Sequence, residues 1–528
     1  MRTYRKWLLA GLSVLGLVVA TGAQAKWIKV QSDHFAIYSN ISERETRIYA
    51  VNLEKYRYVL TTLFHVSPEV DAATPMTDIY LVENKYDWKD AVPEAPEGAV
   101  GISFNATEGQ FIVMQDLTIG RGPPVKTIDD VVSNEGQIVV FHEYAHSFMA
   151  HNSEVKYPAW FVEGFADYYA TTRIFNDQAL VGMSENQRVG RLMNGGTGVK
   201  YSVILSSPGA IGTTVGASLQ FYAQSWLLAH YVLSDEDRRH KFSAYVAAYD
   251  KGEDPVASFE RIFGITMDQL PGVLNTYLNK EMKATTYQVN GMPTPQITVT
   301  PMPGSSNKLL PWKASVMTAH QPKNTVALLD NVRKEAAHYP NDPFALKVLA
   351  RAENILGDPA KAVTALRDYT EAHPDDSEAW ALLGEGYYLT GKRGQIPEGE
   401  KPGANPMDRA RFALVRTYKL DPKNAVALYY LSLAQEDRPD FPNDTAVDAA
   451  MQAHNLAPQV ASYSARAAVM LVKTDRLDEG AAMLAVVASN PHNPGLAKWA
   501  TNVIDAINRG APKEEILTLL NGPSAPKF

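Results

Sequence analysis

The chain has 528 residues, a formal charge of −8, 45% hydrophobic residues and no cysteine. The missing thiols exclude disulfides, a cysteine nucleophile and thiolate metal sites, so its cores must hold by ordinary packing. The acidic balance, with no basic run to offset it, argues against nucleic acid and anionic membrane surfaces as partners.

At the N-terminus, Arg2, Arg5 and Lys6 precede the apolar run Trp7 to Ala20, and Ala23-Gln24-Ala25 offers a small-residue cleavage site. Residues 1–25 are therefore read as an export signal, cleaved after Ala25. The 14-residue run is short for a membrane span, and no later segment approaches 18 uninterrupted apolar residues, so no transmembrane segment is expected after cleavage. Without the three basic residues of the signal the charge becomes −11. An exported, acidic, disulfide-free chain points to a periplasmic or secreted protein.

Residues 26–115 read as an α+β lobe. Trp27 to Val30, His34 to Tyr38 and Met76 to Val82 have the pattern of strands, Glu43 to Phe64 has helical spacing, and Gly109 to Met114 forms a further strand. A helical region follows over 116–289, and within it Phe141-His142-Glu143-Tyr144-Ala145-His146 prescribes a chemistry. In a helix, histidines four apart project from one face a turn apart, near enough to bind one Zn²⁺, with Glu143 beside the water that such an ion activates. Ile138 to Phe141 and Ser147 to Ala150 extend the apolar pattern on both sides, while Asn152, Ser153 and Pro158 mark a turn. A second amphipathic helix runs from Pro158 to Tyr169. Two helices joined by a short loop run antiparallel, which returns Glu163 to the histidines. His142, His146 and Glu163 then make the three protein ligands that a catalytic zinc takes, one ion per chain. Asp167 lies a turn further on, where it accepts the outer N–H of a ligating histidine.

These two helices resemble those of the gluzincin metallopeptidases, and Trp160-Phe161-Val162-Glu163-Gly164-Phe165-Ala166-Asp167-Tyr168 is similar to the corresponding run in secreted bacterial peptidase MA-like proteins. Metzincins require a glycine and a third histidine where this chain has Met149 and Asn152; His151 is one residue out of register and is read as a surface or loop residue. The gluzincin resemblance implies a zincin-like α+β fold and an edge strand that pairs with extended substrate, for which Gly109 to Met114 is the candidate. It also implies a tyrosine or histidine that donates to the developing oxyanion. In the helical pattern Leu219 to Leu233, Tyr222 is the choice for that donor and His230 the alternative.

Residues 290–318 contain Pro293, Pro295, Pro301, Pro303 and Pro311 and are read as a stiff linker between two independently folded halves. Beyond it, prolines 340, 374, 422, 458 and 491 lie 34, 48, 36 and 33 residues apart, close to a tetratricopeptide period of about 34. Trp380, Leu383, Gly384 and Tyr387 stand at that family's spacing. The excess of 14 residues matches the Gly- and Pro-rich segment Arg393 to Pro406, after which Ala410 and Leu414 fall on packing positions. Residues 319–528 thus resemble tetratricopeptide repeats, an all-α superhelix whose groove holds peptides or partner proteins.

The expected fold is an α+β zincin-like metallopeptidase domain followed by a tetratricopeptide superhelix. The expected function is a zinc-dependent peptidase with Glu143 as general base and a peptide or protein substrate. Two alternatives stay open: a catalytically inactive zincin-like scaffold or adaptor, and an amidase acting on cell-wall peptides.

Overall fold

The computed structural model describes residues 26–522 except 97, 117–134, 154, 195–197, 207–214, 319–321, 401–402 and 489–493. The expected export signal lies outside the described residues. Among the described residues, no helix is long and apolar enough to cross a membrane.

The first part of the chain is a mixed α/β lobe. Its strands are β1 (Ile28–Gln31), β2 (Phe35–Ser39), β3 (Thr77–Val82), β4 (Gly101–Ala106) and β5 (Gly109–Gln115), interleaved with α1 (Glu43–Leu63), α2 (Pro68–Ala73) and α3 (Lys85–Ala91). Helices α4 (Glu135–Asn152) and α5 (Ala159–Ala170) follow, then β6 (Arg173–Phe175), β7 (Gln178–Val181), α6 (Asn186–Asn194), α7 (Tyr201–Ser206) and α8 (Val215–Leu233). Later come β8 (Thr285–Gln288), β9 (Thr298–Pro301) and the helix Ser306–Val316. The main sheet has the order β4-β5-β3-β2-β1-β9, with β2, β3 and β5 parallel and β4, β1 and β9 antiparallel to their neighbours.

Alternation along the strands sends side chains to both faces of this sheet. Phe35, Ile37, Ile79, Leu81, Ile112 and Met114 join Leu53, Tyr56 and Leu60 of α1 and Phe141 and Tyr144 of α4 in one core. Ala36, Tyr38, Tyr80, Phe111 and Val113 form a second core on the other face, with Leu310 and Ala314 of the Ser306–Val316 helix. Phe344 and Ile355, from the first repeat, pack against this second core.

Two expectations are corrected here. The Pro-rich segment 290–318 is not an extended linker: β9 pairs with β1 from Ile28↔Pro301 to Gln31↔Thr298, and the following helix covers the sheet. Proline is tolerated at a sheet edge, where a missing N–H breaks no interior ladder, so proline content alone did not preclude a strand. Nor is Gly109 to Met114 the edge strand; β5 lies between β4 and β3, and β4 occupies the edge.

From Pro343 onward the helices pack in antiparallel pairs, among them Pro343–Leu356 with Pro359–Ala372 and Ser377–Lys392 with Pro406–Leu420. The 393–405 segment connects the second of these pairs. A Cβ at Gly384 would stand 2.7 Å from Leu414, so glycine there lets the paired helix approach closely. Capping recurs at the helix starts, with Asp342, Asp358, Asp376, Asn405 and Asn424 each accepting from backbone N–H through their side chains.

Charge as well as apolar contact joins the repeats to the lobe. Lys313 of the Ser306–Val316 helix, Lys347 and Arg351 surround Glu378 at 3.6, 3.1 and 3.3 Å. Burial opposes the charge on Glu378, but the three cations outweigh it and hold its pKa below the usual carboxylate range. Glu385 is in the opposite situation. Burial, reinforced by Glu108 at the β4–β5 turn, pushes its pKa up to about 7.

The folded protein thus retains the Glu385 proton above the ordinary glutamate pKa of about 4.3, and its stability falls as pH rises from there through 7. The isostere in Glu385→Gln removes that loss. Between pH 5 and pH 8 the thermal midpoint of wild type is expected to drop by a few degrees more than that of the variant, as read by calorimetry.

Candidate metal centre

Helix α4 is held from behind. Phe141 stacks on Tyr56 of α1 with ring centroids 3.9 Å apart, and Tyr144 meets Phe35 and Tyr56 edge-on. With that face committed to the core, helical geometry turns His142, Glu143 and His146 the other way. Helix α5 runs alongside, burying Trp160, Phe161 and Phe165, and presents Glu163 to the histidines. Glycine at 164 is required by packing: a Cβ there would lie 2.4 Å from the Ser225 carbonyl and 2.5 Å from Ala229 Cβ. The residue after the glutamate therefore lets α8 lie directly on α5.

His142 Nε2 and His146 Nε2 are 3.1 Å apart, and Glu163 Oε2 lies 3.6 and 3.5 Å from them. An ion bound tetrahedrally with bonds of about 2.0–2.2 Å spaces its ligand atoms about 3.3–3.6 Å apart. Both edges to Glu163 fall in that range and the edge between the histidines is slightly shorter, so the triangle and its two-nitrogen, one-oxygen donor set suit zinc after a small separation of the imidazoles. Among the described residues, this is the group of three whose ligand atoms converge within 4.8 Å. The Glu163 side chain is fully buried, whereas the imidazoles keep 16% and 15% exposure, so the cluster is reached from the histidine side.

His142 Nδ1 lies 2.9 Å from Asp167 Oδ1. Burial opposes an imidazolium at His142, but Asp167, aided by Glu143 and Glu163, lifts its pKa to about 9. The cluster therefore attracts positive charge, which a proton or a metal cation can supply. Asp167 is itself anchored by a residue with no signature in the sequence: Arg188 of α6 donates to Oδ1 at 3.0 Å and lies 2.9 Å from Oδ2. Burial would raise the Asp167 pKa, yet Arg188 and His142 keep it below the ordinary value. The first turn of α6 is set by Glu185, whose carboxylate accepts from the Gln187 N–H at 3.0 Å and from the Arg188 N–H.

Glu143 is met by the sheet edge, where the Ser103 N–H of β4 donates to its Oε2 at 2.9 Å. This approach depends on Gly101, since a Cβ there would lie 2.0 Å from Val139 of α4. Ser103 is visible only in the fold, because it acts through its backbone.

Tyr222, half-buried on α8, lies beside this group, with the Arg188 guanidinium 5.3 Å from its ring centroid. Burial, with Glu163 and Asp167 nearby, raises its pKa and keeps the hydroxyl protonated. The alternative donor, His230, belongs to the core: Nδ1 meets the Tyr277 hydroxyl at 2.6 Å and Nε2 the Gly182 carbonyl at 2.8 Å. His151 is likewise engaged elsewhere, 2.9 Å from both the Ser147 and Leu456 carbonyls.

Comparison with known proteins reaches only the second half of the chain. A model of the tetratricopeptide repeat matches residues 343–386, which include Trp380, Gly384 and the first paired helices. No curated protein and no solved structure matches the chain.

If Arg188 acts by orienting Asp167, and through it His142, Arg188→Met should weaken zinc affinity about 10- to 100-fold. Competition with a chromogenic chelator measures this without any turnover. Unchanged affinity would mean that Asp167 needs no such anchor.

Proposed function

We propose that the chain is an exported zinc-dependent peptidase, with His142, His146 and Glu163 as metal ligands and Glu143 as general base. One observation carries the reading: three donor atoms near zinc spacing converge beside Glu143, the neighbour of His142 on the same helix, a carboxylate that is not one of the three converging ligands. A purely structural site has no use for that extra carboxylate.

Zinc, when bound, supplies Lewis acidity that polarises a scissile carbonyl and makes water a nucleophile near neutral pH. The chain's own residues do the rest. Glu143, held through one oxygen by the Ser103 N–H, takes the proton of the attacking water and passes it to the leaving amine. The protonated Tyr222 hydroxyl donates to the oxyanion as charge develops there. Asp167 and Arg188 fix the orientation of His142. The substrate class is a peptide or protein, and cell-wall peptides fall within the same amide chemistry.

A second reading rests on the repeat match. Tetratricopeptide repeats serve protein–protein interaction, and an adaptor could retain the zincin-like lobe as a binding module without turnover. Incubating wild type with a mixed peptide library, alongside metal analysis, separates the two. Loaded protein that cleaves nothing would favour the adaptor.

Glu143→Gln is expected to keep near-stoichiometric zinc yet lose about 10²- to 10⁴-fold in activity, whereas Glu163→Ala should lose most of the metal itself. The opposite pattern would reassign the two glutamates. Tyr222→Phe should lower kcat about 10²-fold with little change in KM or zinc content, because its hydrogen bond forms mainly in the transition state. Wild-type kcat in that variant would make Tyr222 a packing residue.

A further inference from the structure

The repeats are in contact with a hairpin of the same chain. The turn of the β4–β5 hairpin, Thr107 and Glu108, reaches the first helices of successive repeat pairs. The Tyr463 hydroxyl donates to the Thr107 carbonyl, and the Ser462 and Thr107 hydroxyls meet at 3.0 Å. Gln459 Nε2 donates to Gln110 Oε1 at 2.6 Å, and Gln110 in turn donates to Ser147 on α4. Glu108 lies within electrostatic range of Arg351, Glu385, Tyr430 and Tyr463, from four different repeat helices.

We propose that this face of the repeats takes the β4–β5 hairpin as its ligand in cis and, by gripping the turn, positions β4 against Glu143.

Among the described residues β4 is the outermost strand, and the sheet supports it through β5 alone. An edge strand held in that way frays readily unless something else restrains it. Two restraints operate here. Gly101 packs on Val139, and the hairpin turn is tied to the repeats. Between them lies Ser103, whose N–H meets Glu143. The Gln459–Gln110–Ser147 relay reaches α4 one turn after Glu143, so the same grip bears on both the strand and the helix. A protein that binds this face of the repeats must displace the hairpin. Partner binding and the placement of β4 are then thermodynamically coupled, each weakening the other to the same degree.

The role given to Glu143 rests on the peptidase reading; the grip itself does not. The chain contains no cysteine, so a designed pair reacts alone. In full-length Thr107→Cys/Ser462→Cys the sulfur atoms replace hydroxyls 3.0 Å apart and should form a disulfide on mild oxidation, located by peptide mapping. The locked protein should keep its zinc and turn over short peptides within about twofold of wild type. Tyr463→Phe/Gln459→Ala, which leaves hairpin and metal centre intact, should raise amide hydrogen exchange across residues 101–115 about tenfold and lower kcat by a similar factor, with zinc content unchanged. Adding the disulfide to that variant should restore both protection and kcat, which a merely structural role for Tyr463 would not produce. Failure to cross-link, or unchanged exchange in the released variant, would overturn the grip. Loss of turnover in the locked protein would show that the contact closes the site, and would overturn the positioning role. If wild type cleaves no peptide at all, the peptidase reading fails, while exchange and cross-linking still decide the grip.

Discussion

A carboxylate with no exposed surface, Glu163, constrains everything around it. A buried anion is costly unless positive charge stands close by, and here the charge is drawn to the triangle it shares with His142 and His146. The same logic extends outward. Asp167 is also buried, yet Arg188 and His142 hold it ionised. From Arg188 through Asp167 and His142 to Glu163, charges alternate in sign along a path that would be unstable if any one were removed alone. A divalent cation bound by His142 and His146 would take the place of the imidazolium proton as the positive partner of Glu163.

Close approach of elements, made possible by absent side chains, gives this charge system its shape. Gly164 lets α8, which carries Tyr222 beside Arg188, settle on α5; Gly101 lets β4 cross α4 and brings a backbone donor to Glu143. A methyl group at either place would overlap atoms little more than 2 Å away. Both effects are steric, and both act on residues proposed to do chemistry.

The repeats are not an appendage. Phe344 and Ile355 pack on the second core of the lobe, Lys313 enters the cluster around Glu378, and the hairpin turn meets the repeat helices. Separating the halves would uncover a sheet face and strand several buried charges, so cleavage within 290–318 is not expected to release two intact pieces.

Much of the candidate site was legible in the sequence because its spacing is local. Histidines four apart on a helix, and a second helix after a short turn, bring His142, His146, Glu163 and Asp167 together by helical periodicity alone. The repeat period was legible for the same reason, as each pair packs chiefly on its neighbours. Tertiary structure decided whatever depends on contacts between distant segments. Arg188 has no spacing relation to Asp167, Ser103 contributes a backbone N–H that every residue except proline carries, and strand order, which makes β4 the edge, depends on pairing. The prolines of 290–318 read as a linker because composition reports local stiffness, whereas the formation of β9 depended on whether β1 offered an unpaired edge.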